Sequence, residues 1–162
     1  YSKINNAMRF KYDRIKNLPS PGFTAGPCLL KDTMQLNSFS RNNFTLGVDA
    51  MVINEGLVSH IIKKLKKDFA LNKKIVGILG MSFKPEIDDI RSSLSYKLKK
   101  ILLINAKQVI TTDPFVRNDD EILSLDIVLK KSDILILATP HKVYKKIKTK
   151  KPLIDIWNFI KK

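Results

Sequence analysis

Cys28 is the only cysteine in the 162-residue sequence. It stands in the segment Pro19-Ser20-Pro21-Gly22-Phe23-Thr24-Ala25-Gly26-Pro27-Cys28-Leu29-Leu30-Lys31-Asp32-Thr33. A cation and a carboxylate, Lys31 and Asp32, follow shortly after the thiol. Prolines fix φ and glycines permit unusual φ, so the first part of this segment predicts a shaped loop. Cys28 falls where that loop gives way to an apolar-polar run able to open a helix. A thiol near a helix N-terminus, with a lysine one turn on, has its thiolate favoured, the form that nucleophilic catalysis needs. The other reading is a small buried hydrophobe, a common fate of a lone cysteine. Spacing by itself leaves both open.

The elements that must position this loop follow from periodicity. Residues 1–17 are polar and basic, and read as the end of a helix followed by a loop. From about Phe44 to Leu71, apolar residues recur every fourth position at Ile53, Leu57, Ile61, Leu65 and Phe69. Ala50 extends that stripe upstream, and Val58 and Ile62 widen it. A helix of roughly 25 residues spans nearly 40 Å at 1.5 Å per residue, more than a small domain needs. Its broad apolar stripe predicts packing against both its own domain and a second subunit. A helix wholly within one core is the alternative that periodicity leaves open.

Beyond Asn72-Lys73-Lys74 the pattern alternates. Strands are expected at 74–79, 108–112, 134–138 and 153–156, with helices over 93–104, 121–131 and 141–147. Asp113-Pro114 and Thr139-Pro140 stop the second and third strands. Strand–helix alternation predicts an α/β fold with a parallel sheet. The expected division is 1–44 for the cysteine-loop segment, 45–72 for the central helix and 73–162 for the α/β domain.

Composition narrows the class. Thirty Lys+Arg against 15 Asp+Glu give a formal net charge of +15, which attracts anions of many kinds. The excess is mostly lysine pairs scattered over many segments, such as Lys63-Lys64, Lys99-Lys100 and Lys150-Lys151. Nucleic-acid binders concentrate arginine and exposed aromatics on one surface, so no nucleic-acid partner is expected. A single cysteine excludes an internal disulfide and a multi-cysteine zinc site, so no metal and a reducing, cytoplasmic location are expected. No apolar run approaches a membrane span and no leader pattern opens the chain, so no membrane partner is expected. Starting at Tyr1 without methionine, the sequence is expected to be cut from something larger.

Two motifs carry a resemblance. Gly26-Pro27-Cys28-Leu29-Leu30-Lys31-Asp32 resembles the glycine–X–Cys–X–X–Lys–Asp signature of the UDP-glucose/GDP-mannose dehydrogenase family. Val76-Gly77-Ile78-Leu79-Gly80-Met81-Ser82-Phe83-Lys84-Pro85, followed by Asp88-Asp89-Ile90-Arg91-Ser92-Ser93, resembles the strand, Phe-Lys loop and Asp-X-Arg-X-Ser segment opening that family's C-terminal domain. Together they are similar to the second half of a family member over essentially the whole chain. The resemblance implies a long dimerisation helix followed by a Rossmann-like, UDP-sugar-binding domain, with the N-terminal NAD-binding domain absent. Gly77 and Gly80 alone do not make a dinucleotide fingerprint.

The resemblance also implies an activity: four-electron oxidation of a UDP-sugar C6 alcohol to a uronate with two NAD⁺, of the kind used in polysaccharide biosynthesis. Cys28 would form the thiohemiacetal and thioester, Asp32 would help activate water, and Lys31 would support one or the other. Arg14, Gly22, Phe23, Thr24, Ala25, Phe83 and Lys84 match substrate-binding positions, with the 21–25 segment wrapping the sugar. Cys28, Leu29 and Arg91 match cofactor-facing positions, and Asp88 and Asp89 orient the loop and its arginine. Asn54-Glu55 resembles the Asn-acid pair of the family's central helix. A homodimer through that helix is implied, and the fragment alone is expected to be inactive. Trp157 stands where an arginine contact to substrate is often found; with the Thr24-Ala25-Gly26-Pro27 variant, this points toward an N-acetylated hexosamine. The alternatives are a non-catalytic sugar-nucleotide-binding and dimerisation module, then a basic nucleic-acid-binding domain.

Overall fold

Ile134-Leu135-Ile136-Leu137 offers no polar side chain to water, and it forms an inner strand buried on both faces, β3 (Ile134–Leu137). The computed structural model, which describes residues 2–15, 21–24 and 26–160, flanks it with β1 (Ile75–Leu79), β2 (Gln108–Thr112) and β4 (Leu153–Asp155). The order is β2-β1-β3-β4 and every pairing is parallel. Side chains alternate across the strands. Val76, Ile78, Ile134 and Ile136 face one apolar layer, while Leu79, Leu135 and Leu137 face the other. The parallel α/β domain expected from strand–helix alternation is what the chain forms.

Two helices lie along the sheet. Helix α4 (Leu94–Asn105) begins at Ser93, whose hydroxyl accepts from the Ser95 N–H at 3.2 Å, and it buries Leu94, Leu98 and Leu102 at four-residue spacing. Helix α5 (Leu125–Lys131) buries Val128 on the opposite layer. Gly77 makes that approach close: a Cβ there would stand 2.2 Å from Ser132 Oγ and 2.8 Å from Val128 Cγ1. Helix α5 starts later than the expected Glu121. Residues before it are drawn to β2 instead, with Ile122 bridging Thr111 and the Leu123 N–H donating to the Thr111 carbonyl at 2.9 Å. Ser124 stays extended at φ −63°, ψ 150°. The segment expected as a helix at 141–147 is a 3-10 turn, Lys142–Lys146.

Three helices precede the sheet: α1 (Ser2–Arg9), α2 (Pro27–Phe39) and the 24-residue α3 (Thr45–Asp68). At 1.5 Å per residue α3 runs about 36 Å. Its second half docks against α4 and joins the same core layer through Val58, Ile61, Ile62 and Leu65. Its first half does not: Leu46 is 77% exposed, Val52 64% and Ile53 74%. The expected stripe is therefore covered only from Leu57 onward, and Ala50 lies in the open. Helix α2 buries no residue, and Phe39 at its end is 89% exposed. The ion pair from Lys97 Nζ to Glu55 Oε2, 2.8 Å, ties α3 to α4. No helix among the described residues is long and apolar enough to cross a membrane.

Candidate active site

Cys28 occupies the second position of α2, behind Pro27, and it is exposed. Proline suits the first helical position because its missing N–H would have had no partner there. Gly26, just before it, sits at φ +131°, which only glycine adopts without strain. Asp32 follows Cys28 by one helical turn and shares its face. Lys31 Nζ lies 3.9 Å from Asp32 Oδ1 with both side chains 65% exposed, a loose pair worth little. Leu29 is exposed beside Cys28.

Four contacts fix the loop that presents this thiol. Phe23 is buried in the core layer shared with α3 and α4. The Thr24 N–H donates to Asn54 Oδ1 at 3.2 Å, and Asn54 Nδ2 donates back to the Thr24 carbonyl. Thr24 thus has both backbone groups committed to α3. Gly22 lies against the Trp157 ring so closely that a Cβ would fall 2.2 Å from it, and the Trp157 indole N–H donates to the Ala138 carbonyl at 2.8 Å. Trp157 is therefore a brace under the cysteine loop. Gly26 abuts Phe83, 3.2 Å from a Cβ built there. Ala25 lies outside the described residues, as do residues 16–20.

The Gly26–Phe83 contact brings the second motif to the first. After β1, Gly80 turns at φ +91°, and the Phe83 N–H donates to the Asp89 carbonyl at 3.0 Å. Lys84 Nζ is exposed, 5.7 Å from the Phe83 ring centroid. Asp89 accepts from Arg91 Nε at 3.0 Å and Nη2 at 2.6 Å, which holds the exposed guanidinium in one orientation. Those bonds hold the Asp89 carboxyl below its usual range. The hydrogen bonds to Asp89 strengthen the hold of Arg91 on its proton. A recess of ≈ 40 Å³ among Thr24, Gly26, Asn54 and Ser92 opens beside them. Sites for drug-sized ligands run to roughly 300 Å³ or more, so further walls are needed. Arg14 stands apart, exposed in the 3-10 turn Asp13–Ile15.

Sequence reasoning missed what lies behind the Phe-Lys loop. Asp113, buried at the end of β2, accepts from the N–H groups of Met81 (2.7 Å), Ser82 (3.1 Å), Phe115 (2.8 Å) and Val116 (3.1 Å). His141 Nε2 lies 3.0 Å from its Oδ2. Burial pushes this carboxyl up, but the imidazole and the amides outweigh it and bring it down to about 2. The available signal was a pair of polar residues, Asp113 and His141, just past the ends of the two strands that flank β1. Among the described residues no group of three or more His, Cys, Asp or Glu side chains is placed to hold a metal ion.

Sequence comparison decides the relationship. The UDP binding domain of the UDP-glucose/GDP-mannose dehydrogenase family matches residues 77–162, a little over half of the chain. The chain belongs to this family. A UDP-N-acetyl-D-mannosamine dehydrogenase of Pyrococcus horikoshii is 31% identical over 144 residues, covering 84% of this chain and 33% of that protein. A UDP-glucose 6-dehydrogenase of Rickettsia bellii is 29% identical over 168 residues, covering 87% and 38%. The chain thus spans about a third of the length of these curated relatives. The solved UDP-D-ManNAc dehydrogenase of Pyrococcus horikoshii superposes with a TM-score of 0.75 at 25% identity, over 98% of this chain and 44% of that one. A UDP-glucose dehydrogenase from Pyrobaculum islandicum shares the fold, with a TM-score of 0.82 at 22% identity, over 98% and 40%.

Proposed function

We propose that these residues are the UDP-sugar-binding part of an NAD-dependent nucleotide-sugar 6-dehydrogenase. One observation carries the reading: the exposed thiol at the head of α2 shares a surface with the Phe83-Lys84 loop, through Gly26 against Phe83. Lys84, a compact cation, faces solvent where a diphosphate or sugar oxygen would sit. NAD⁺ would supply the hydride acceptor for each of the two oxidations. Arg91 fits a contact to its pyrophosphate, because Asp89 occupies Nε and Nη2 and leaves the outer guanidinium exposed. The NAD-binding domain itself belongs to sequence outside these residues.

The chain's own part of the chemistry centres on sulfur. The Cys28 thiolate adds to the C6 aldehyde, forming a C–S bond and a thiohemiacetal oxygen that takes a proton. That carbon is again tetrahedral and keeps its hydrogen, whose departure as hydride, with loss of the hydroxyl proton, leaves a thioester on Cys28. Asp32, one turn along the same face, takes a proton from the water that attacks the thioester carbonyl. The C–S bond then breaks, releasing the uronate and regenerating the thiolate. An N-acetylated hexosamine is the favoured sugar, in keeping with the Pyrococcus horikoshii relative.

Calorimetric titration tests the binding half. UDP is expected to bind, and Lys84→Met to weaken it about tenfold; no heat with UDP or any UDP-sugar overturns the reading. NADH production is expected only once an NAD-binding domain is joined to the chain.

The uncovered apolar residues Leu46, Val52 and Ile53 of α3, with Leu36 and Phe39 of α2, support a second copy of the chain as partner. Burying such side chains contributes about 1.5–3 kcal/mol each. Sedimentation is expected to give a dimer that Ile53→Glu converts to a monomer; a monomeric parent chain removes the proposal.

A further inference from the structure

We infer that His141 is a positioning residue for Lys84, holding the Phe-Lys loop in its ligand-ready shape from the far side of the sheet edge. Phe83-Lys84-Pro85 forms a three-residue arch, and both of its feet stand on one imidazole. On one side the Ser82 hydroxyl donates to the Lys84 carbonyl at 2.9 Å, so its oxygen receives the His141 Nε2 proton at 3.2 Å. On the other side the Glu86 N–H donates to His141 Nδ1 at 3.0 Å. Nδ1 must therefore carry the lone pair and Nε2 the hydrogen, which Asp113 Oδ2 shares at 3.0 Å. Only this neutral tautomer satisfies all the partners.

The surroundings leave His141 little freedom. Its side chain is fully buried, its ring lies 5.1 Å from that of Phe115 and 5.6 Å from that of Tyr144, and Thr139 Oγ1 donates to the Ser82 carbonyl at 2.7 Å. The arch is also strained. Glu86 sits at φ +64°, a left-handed conformation that glutamate adopts only when its surroundings impose it. The bonds that impose it are the one to His141 and the one from the Lys142 N–H to Glu86 Oε1, 2.8 Å. Remove the imidazole and the strain has a way out, by rotation of the segment that bears Lys84.

This inference rests on the proposed binding of UDP at Lys84, and its test separates the two. Calorimetry with UDP is run on the chain and on His141→Phe, His141→Gln, Lys84→Ala and Tyr144→Phe, alongside hydrogen exchange of the 82–86 amides. His141→Phe keeps a ring and removes the bonds to both feet of the arch, together with the one to Asp113. It is expected to weaken UDP about tenfold, as far as Lys84→Ala does, with no further loss in the double variant. His141→Gln, which retains a donor toward Asp113, is expected to stay within about threefold of the parent. Tyr144→Phe loses the hydroxyl bond to the Thr112 carbonyl in the same buried region. It is expected to lower Tm without changing UDP affinity, which is the behaviour of a purely structural residue. Exchange at the Glu86 amide should rise in His141→Phe and not in Tyr144→Phe. Equal UDP affinity in His141→Phe and the parent overturns the inference while leaving UDP binding intact. If the parent binds no UDP, the functional proposal falls, and exchange alone decides: a faster Glu86 amide upholds the latch, and an unchanged one overturns it. Should His141→Phe fail to fold, Ser82→Ala removes one foot of the arch and is expected to give the same direction in both measurements.

Discussion

Cys28→Ser, in a protein that joins this chain to its NAD-binding domain, is expected to cut steady uronate production by on the order of 10³-fold or more. The first oxidation needs no sulfur, so a single-turnover experiment should still give about one NADH per site. The second needs a tetrahedral carbon bearing a hydrogen, which the thiolate makes and a serine hydroxyl, far harder to ionise, does not. Asp32→Asn sharpens the same experiment. If Asp32 serves the hydrolytic step, its removal leaves the thioester in place, and mass spectrometry should find the sugar nucleotide on the peptide that holds Cys28. Steady turnover within tenfold of the parent in Cys28→Ser would sink the covalent mechanism and leave the UDP site standing.

How far the sequence revealed this site depends on how local each signal is. The helix opening at Cys28 and the long helix from residue 45 were legible because proline placement and four-residue apolar spacing are properties of the segment itself. The start of α5 was not, because Ile122 and Leu123 pair with β2, a strand that periodicity within their own segment does not report. Trp157 shows the same limit. Its sequence position suggests a gap in substrate recognition, whereas its ring supports Gly22, more than a hundred residues earlier. The most consequential omission is the pair Asp113 and His141. Each reads as a strand stop, Asp113-Pro114 and Thr139-Pro140-His141, and only the strand order β2-β1-β3 sets them on either side of the loop from β1. Topology makes them a cluster.

Asp113→Ala is expected to be the most destabilising single change in the α/β domain. It strips the acceptor from four backbone N–H groups and from His141 Nε2, at a side chain with no exposure. Removing one partner of such a buried charged network typically costs about 3–5 kcal/mol, a large share of an ordinary domain's stability. Urea unfolding at neutral pH measures it. Acid should produce part of the same effect in the parent. Asp113 titrates near 2 in the folded chain against an ordinary 3.8, so the unfolded state takes up its proton first as pH falls. The stabilisation is complete above about pH 5, declines through about pH 4, and is gone below about 2, on the order of 2 kcal/mol in all. The gap between the parent and Asp113→Ala should therefore narrow on acidification; a gap that is constant from pH 6 to 2.5 would mean that the carboxylate's charge contributes nothing. A buried carboxylate is an expensive way to gain stability, since an apolar residue of similar size often serves as well. What an apolar residue cannot do is accept from Met81 and Ser82 on one side and Phe115 and Val116 on the other. Asp113 joins the root of the Phe-Lys loop to the turn after β2, and the imidazole it orients carries both feet of the arch. The domain gives up a dry strand end there to hold one exposed lysine in place.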